Sequence, residues 1–288
     1  MTDTTRNLNL WSRANVAEEY EQEHQGIVGR YIYESETQMI LEAVRRRVPA
    51  RLLDAGCGTG RHLIHLENCG ELYGIDYSEK MLEAARQKVK NCRFTCGSIH
   101  QTPYDAEFFD MIICVRVLQH VGDAEAVLRE FYRILNKGGE AHVLVYNAWH
   151  LHHLGDKIRH SALAGRISER AREGGYWKRL YRDYYNRFYS PPELIRAARA
   201  AGFGETRIRG ATLGMGWCLH SAGLDRIAFR PIRALLSAIV AFSRLRRDAF
   251  RDVFPFNHLF DSFVLIARKT PNRGPVNRGQ SPNFLFAL

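Results

Sequence analysis

At 288 residues, 45% hydrophobic and 25% charged, the chain is long enough for one elaborated domain with a substantial core, and no Pro/Gly/Ser-rich linker divides it. It has no apolar signal segment in MTDTTRNLNLW and no run of about eighteen apolar residues, which predicts a cytoplasmic protein without a transmembrane segment. The net charge of +10 is uneven: residues 1–150 carry 17 Lys/Arg against 21 Asp/Glu, and residues 151–288 carry 24 against 10, so an anionic partner is expected on the C-terminal half.

In chain order, VAEEYEQEH (16–24) predicts a helix whose Tyr20 and His24 either cap a pocket or lie on the surface. LLDAGCGTG (52–60) reads as the end of a buried strand and a glycine turn that lets the backbone approach a ligand, followed by a helix. Asp54 precedes the first glycine, and the next strand, ELYGID, ends in Asp76, so two carboxylates flank one turn. Ser78 is a predicted helix N-cap, RFTCG a third strand, and FDMIICV a fourth that runs into VLQHV. In AEAVLREFYRILNKGG the apolar residues recur at helical spacing, with a stop expected at Gly138 and Gly139 and the strand EAHVLVY after it. This is the pattern of a nucleotide-binding half of a doubly wound sheet.

The spacing D-x-G-x-G-x-G differs from the G-x-G-x-x-G of nicotinamide enzymes, and a carboxylate in the turn suits a cation better than a pyrophosphate. The segment resembles the first motif of class I S-adenosylmethionine-dependent methyltransferases, and the later segments match that family in order over residues 50–147. The resemblance implies an α/β fold: a doubly wound, mostly parallel seven-stranded sheet with an antiparallel edge strand, helices on both faces, and a helical acceptor-side insert. It implies S-adenosylmethionine as cofactor, with donor-binding positions at Asp54, Gly56, Cys57, Gly58, Gly60, Asp76, Tyr77, Met81, Ser98, Ile99 and Val115, and His120 as a general-base candidate. Ser98 stands where the family usually has an acid, so it accepts a bond from the adenine amine without charge assistance. Cys57 reads as a packing residue within the turn, and the six cysteines (57, 69, 92, 96, 114, 218) are expected to be reduced thiols.

Beyond the core, residues 148–269 are expected to hold an acceptor-side insert and the completion of the sheet, after an N-terminal helical cap at 1–49; residues 270–288 form an expected disordered tail. The insert groups His150, His152 and His153 without matching ligand spacing, so no metal is expected, and it interleaves aromatics from Tyr176 to Tyr189 with basic residues able to stack planar substrates or bases. Ser190 opens a capping box, S-P-P-E, and TRIRGAT and SFVLIARK read as the last two strands. Residues 226–247 place an apolar stripe between arginines, which fits either peripheral contact with an anionic membrane or a helix covering a cleft. The resemblance therefore implies methyl transfer to a small-molecule or lipid-linked acceptor, anionic or aromatic. Alternatives are a wobble-uridine transfer-RNA methyltransferase, since YYNRFYSPPEL (184–194) has a loose counterpart there, and a non-catalytic interaction protein.

Overall fold

A computed structural model describes residues 26–149, 187–212 and 262–270 and, outside these, 11, 13, 15–22, 234, 237, 238, 240–242, 251–253 and 260. The elements are α1 (Val16–Gln22), α2 (Ile27–Arg47), β1 (Arg51–Ala55), β2 (Glu71–Asp76), α3 (Glu79–Lys88), β3 (Cys92–Cys96), β4 (Phe109–Val115), α4 (Ala124–Ile134), β5 (Leu135–Tyr146), α5 (Pro191–Ala200), β6 (Glu205–Thr212) and β7 (Ser262–Arg268).

Strand residues alternate between two apolar layers, as the two-residue strand period requires. Leu53, Ile112, Cys114, Val143 and Leu265 face α4 and α5, burying Val127, Leu128, Phe131 and Leu194; Leu52, Leu72, Met111 and Ile113 face α2 and α3, burying Ile40, Val44 and Leu82. Such runs, buried on both faces, are what a parallel sheet needs, and each fully buried aliphatic or Phe side chain contributes roughly 1.5–3 kcal/mol. The helices begin where the local signals put them. Ser78 accepts from Met81 N–H, Asp123 accepts from Ala126 N–H, and Glu193 reaches back to Ser190 N–H behind Pro191.

The seven strands lie in the order β3-β2-β1-β4-β5-β7-β6, with β7 antiparallel to both its neighbours and the remaining pairs parallel. The antiparallel strand is thus one place in from the edge, which β6 forms. Strand order reverses between β1 and β4, and a crevice opens beyond the carboxyl ends of such a pair.

Two local expectations are corrected. After the glycine turn the chain makes one 3-10 turn, Leu63–His65, in place of a helix, because only ten residues separate Gly60 from β2 and Gly70 (φ +90°) must pack on the carbonyls of Pro49 and Ala50. Helix α4 stops at Ile134, before the glycines, because Leu135 already pairs with Phe109 of β4. Gly138 (φ +84°) instead turns the chain within β5, and its N–H donates to Lys269 O at 2.6 Å.

The three grouped histidines and the aromatics from Tyr176 to Tyr185 lie outside the described residues, as do Cys218, His24 and the tail 271–288. Of 226–247, residues 234, 237, 238 and 240–242 are described; they are helical, with Val240 buried and Phe242 exposed. Among the described residues no helix is long and apolar enough to cross a membrane, and Cys57, Cys69, Cys92, Cys96 and Cys114 are free thiols.

Candidate active site

The three glycines after β1 all have positive φ but serve three different needs. A Cβ on Gly56 would sit 2.3–2.9 Å from the side chain of Val117, so this glycine lets the loop after β4 press onto the turn. A Cβ on Gly60 would meet Val89 at 3.1 Å, so that glycine lets the turn pack on α3. Above Gly58 the nearest atom is Tyr20 Cε1 at 4.0 Å, which leaves a shallow space over bare backbone.

The turn is fastened to β2 by its own amides. Gly56 and Cys57 N–H donate to Ile75 O, and Gly58 N–H donates to Asp76 Oδ2 at 2.8 Å; Asp76 Oδ1 accepts from Ser78 N–H at 2.9 Å. Asp54, buried at the end of β1, stands across from Gly74 of β2. Burial and the neighbouring Asp76 charge push its carboxyl up to about 8. Burial also raises Asp76, against the lowering effect of the Ser78, Gly58 and Tyr77 amides. Two carboxylates held close together in low dielectric form a site that a cation relieves.

Around this pair the expected residues fall as follows. Tyr77 is half-exposed beside Asp76, Met81 is buried in the first turn of α3, and Gly97 N–H donates to Asp76 O, bringing Ser98 and Ile99 to the same rim. Ser98 Oγ accepts from His100 N–H at 3.2 Å. Cys57 is buried, with its sulfur at the position a Gly74 Cβ would need, and burial raises its thiol. Val115 packs against the cluster of Met39 and Leu144 under α2. His120 lies in the 3-10 turn Leu118–His120 just beyond β4.

The N-terminal segment roofs the crevice, which the sequence left open between cap and surface. Ser78 Oγ–H donates to Trp11 O at 2.5 Å, the Trp11 ring lies 5.9 Å from both Tyr20 and His120, and Glu21 bonds Thr59 of the turn. Arg61 stacks on Tyr20 at 4.2 Å. Reasoning from the sequence missed Trp11, Glu36, Arg116 and Tyr146. Glu36 carried a signal: it is an acid inside the stripe Ile32, Met39, Ile40, Ala43 that α2 buries.

A family profile described as a methyltransferase domain matches residues 53–143, the span that holds this turn, both carboxylates and the His120 loop. Over residues 53–143 the chain is similar to methyltransferase domains.

The chain is 28% identical over 180 residues to a demethylmenaquinone methyltransferase of Geobacillus stearothermophilus, covering 57% of this chain and 75% of that one. It is 35% identical over 101 residues to the malonyl-[acyl-carrier protein] O-methyltransferase of Salmonella typhimurium, covering 35% and 40%. A Thermotoga maritima structure described as an SAM-dependent methyltransferase, possible histamine N-methyltransferase, superposes with a TM-score of 0.54 at 25% identity, covering 88% of this chain and 95% of that one. The chain spans about a third to two-fifths of the length of the first curated relatives it matches. The residues present fit the S-adenosylmethionine that the sequence resemblance implies: a cationic donor would meet Asp54 and Asp76, and bare backbone at Gly58 leaves room for close approach.

Proposed function

We propose that this chain transfers the methyl group of S-adenosylmethionine to a small-molecule or lipid-linked acceptor. The observation that carries the reading is the pairing of two neighbouring carboxylates, Asp54 and Asp76, with Asp76 holding the N–H of Gly58, above which the backbone is open. The donor supplies an activated sulfonium methyl, so the chain has mainly to bind, align and keep water out.

In this reading Asp54 and the Gly56–Gly58–Gly60 turn face the donor's cationic end, with Cys57 backing the turn. Asp76 takes the ribose hydroxyls, and Tyr77, Met81, Ser98 and Ile99 flank the adenine. Val115 supports the crevice from below. Tyr20 and Trp11 shield it from solvent, supported by their contacts with Gly58 and His120. His120 takes the acceptor proton where the acceptor is a hydroxyl. The relatives' names, which specify a demethylmenaquinone and a malonyl-[acyl-carrier protein] as acceptors, favour a small aromatic or anionic acceptor over RNA.

Replacing His120 with Ala is expected to lower turnover by about 100-fold while changing S-adenosylhomocysteine affinity less than about threefold. Equal losses in both would make it a structural residue. The acceptor class is tested by incubating the protein with methyl-labelled S-adenosylmethionine and fractionated cell extract. Label should enter the lipid or small-metabolite fraction. Label in RNA would replace the acceptor proposed here, and donor binding with no label in any fraction would indicate an interaction protein.

A further inference from the structure

The loop that carries His120 leaves β4 through an uncommon backbone conformation. Arg116 has φ +56°, in the left-handed region that an arginine adopts only at a cost. Its N–H still pairs with Leu144 O of β5, so the change of direction falls between the sheet and residues 117–120. From there the loop is keyed to both sides of the crevice. Val117 fills the space that Gly56 leaves below, and His120 meets Trp11 of the roof above.

The arginine side chain is largely enclosed, 11% exposed. Its Nε donates to Glu36 Oε1 at 2.5 Å, a second guanidinium nitrogen pairs with the same oxygen, and the guanidinium lies 4.3 Å from the Tyr146 ring centroid. Glu36 is 2% exposed on the sheet-facing side of α2, 80 residues earlier in the chain. Burial pulls the Arg116 pKa down, and the Glu36 carboxylate outweighs it, so the guanidinium stays charged. His62 stands 4.0 Å from Glu36 and is pushed down to about 3 by burial, so it brings no charge. A buried pair of this kind adds little net stability compared with apolar packing, and its best-attested use is to specify one arrangement.

We infer that Glu36 is a positioning residue for methyl transfer: from α2 it holds the Arg116 guanidinium inward and thereby fixes the left-handed turn from which the loop 117–120 meets the donor crevice. The inference rests on the proposed donor site for its effect on binding, while its effect on the loop is independent of any ligand.

A glycine at 116 takes the left-handed conformation without strain, so it should make the loop independent of Glu36. The test is a double-variant cycle of Glu36→Gln, Arg116→Gly and the pair, read by amide hydrogen exchange of residues 116–121 and by calorimetric titration with S-adenosylhomocysteine. Circular dichroism fixes a temperature at which every variant is folded. Glu36→Gln should speed exchange in the loop at least tenfold and weaken S-adenosylhomocysteine at least tenfold; in the Arg116→Gly background the same change should alter each by less than about twofold. Should Glu36→Gln not fold, Glu36→Asp, which keeps the charge one methylene short, should show the same dependence on residue 116.

Unchanged exchange and affinity in Glu36→Gln, with only a lower melting temperature, would reduce the pair to ordinary scaffolding and overturn the inference. So would an equal Glu36→Gln effect with glycine at 116, or loss of binding in Arg116→Gly alone. Wild-type protein that ignores S-adenosylhomocysteine would remove the donor reading, while the exchange data would still decide the role of Glu36.

Discussion

Replacing Asp76 with Ala is expected to weaken S-adenosylhomocysteine binding by about 100-fold or more, measured by calorimetric titration. Two losses combine. The carboxylate that would hold the ribose hydroxyls disappears, and hydrogen bonds to a charged group contribute about 1.5–3 kcal/mol each. The same oxygens also anchor Gly58 N–H at 2.8 Å and Ser78 N–H at 2.9 Å, so the glycine turn and the start of α3 lose their common tie. A fall in melting temperature should accompany the loss of affinity, because two amides in a partly buried site are left to find water. Asp76→Asn keeps the shape and one acceptor oxygen, and should recover most of the melting temperature but little of the affinity. Affinity unchanged in Asp76→Ala would mean that the ligand lies elsewhere.

Donor affinity should also rise steeply with pH from 6 to 8 and level off above 8. In the free protein the Asp54 carboxyl is pushed up to about 8, chiefly by burial and then by Asp76, so it is mostly protonated at neutral pH. A cationic ligand favours the ionised form. Binding below pH 8 must therefore release up to one proton, and affinity should gain up to about tenfold per pH unit. Titration in buffers of different ionisation heat measures that proton directly.

Linkage gives the matching effect on stability. The folded pKa of Asp54 lies above the unfolded one, so between about pH 4 and 8 the unfolded chain binds fewer protons and stability falls as pH rises. Asp54→Asn removes this liability. It should unfold at higher temperature than wild type at pH 8, by an amount on the order of 2–3 kcal/mol, while losing most donor affinity. A variant that is both less stable and unaffected in binding would show that Asp54 is ordinary scaffold.

The sequence carried the features that depend on near neighbours. Ser78 and Ser190 cap helices through bonds three residues long, and the two-sided apolar runs of β1, β2 and β4 announce a parallel sheet. Both flanking acids were legible because each sits at a strand tip next to its glycine or its cap. The failures came where distant pairing overrides a local preference. Gly138 and Gly139 look like a helix stop, yet pairing with β4 captures the chain at Leu135. Trp11 bonds Ser78 across 67 residues and Glu36 meets Arg116 across 80, and no spacing rule reaches that far. Glu36 was visible only as an acid in an apolar stripe, and its partner only as the residue directly after a strand.

Calorimetric titration of the purified chain with S-adenosylmethionine at pH 8 tests most directly whether the crevice between Asp54 and Asp76 takes a charged methyl donor. Saturable one-to-one binding that Asp76→Ala abolishes is the expected result; no heat of binding at millimolar donor, with the protein folded, would contradict it.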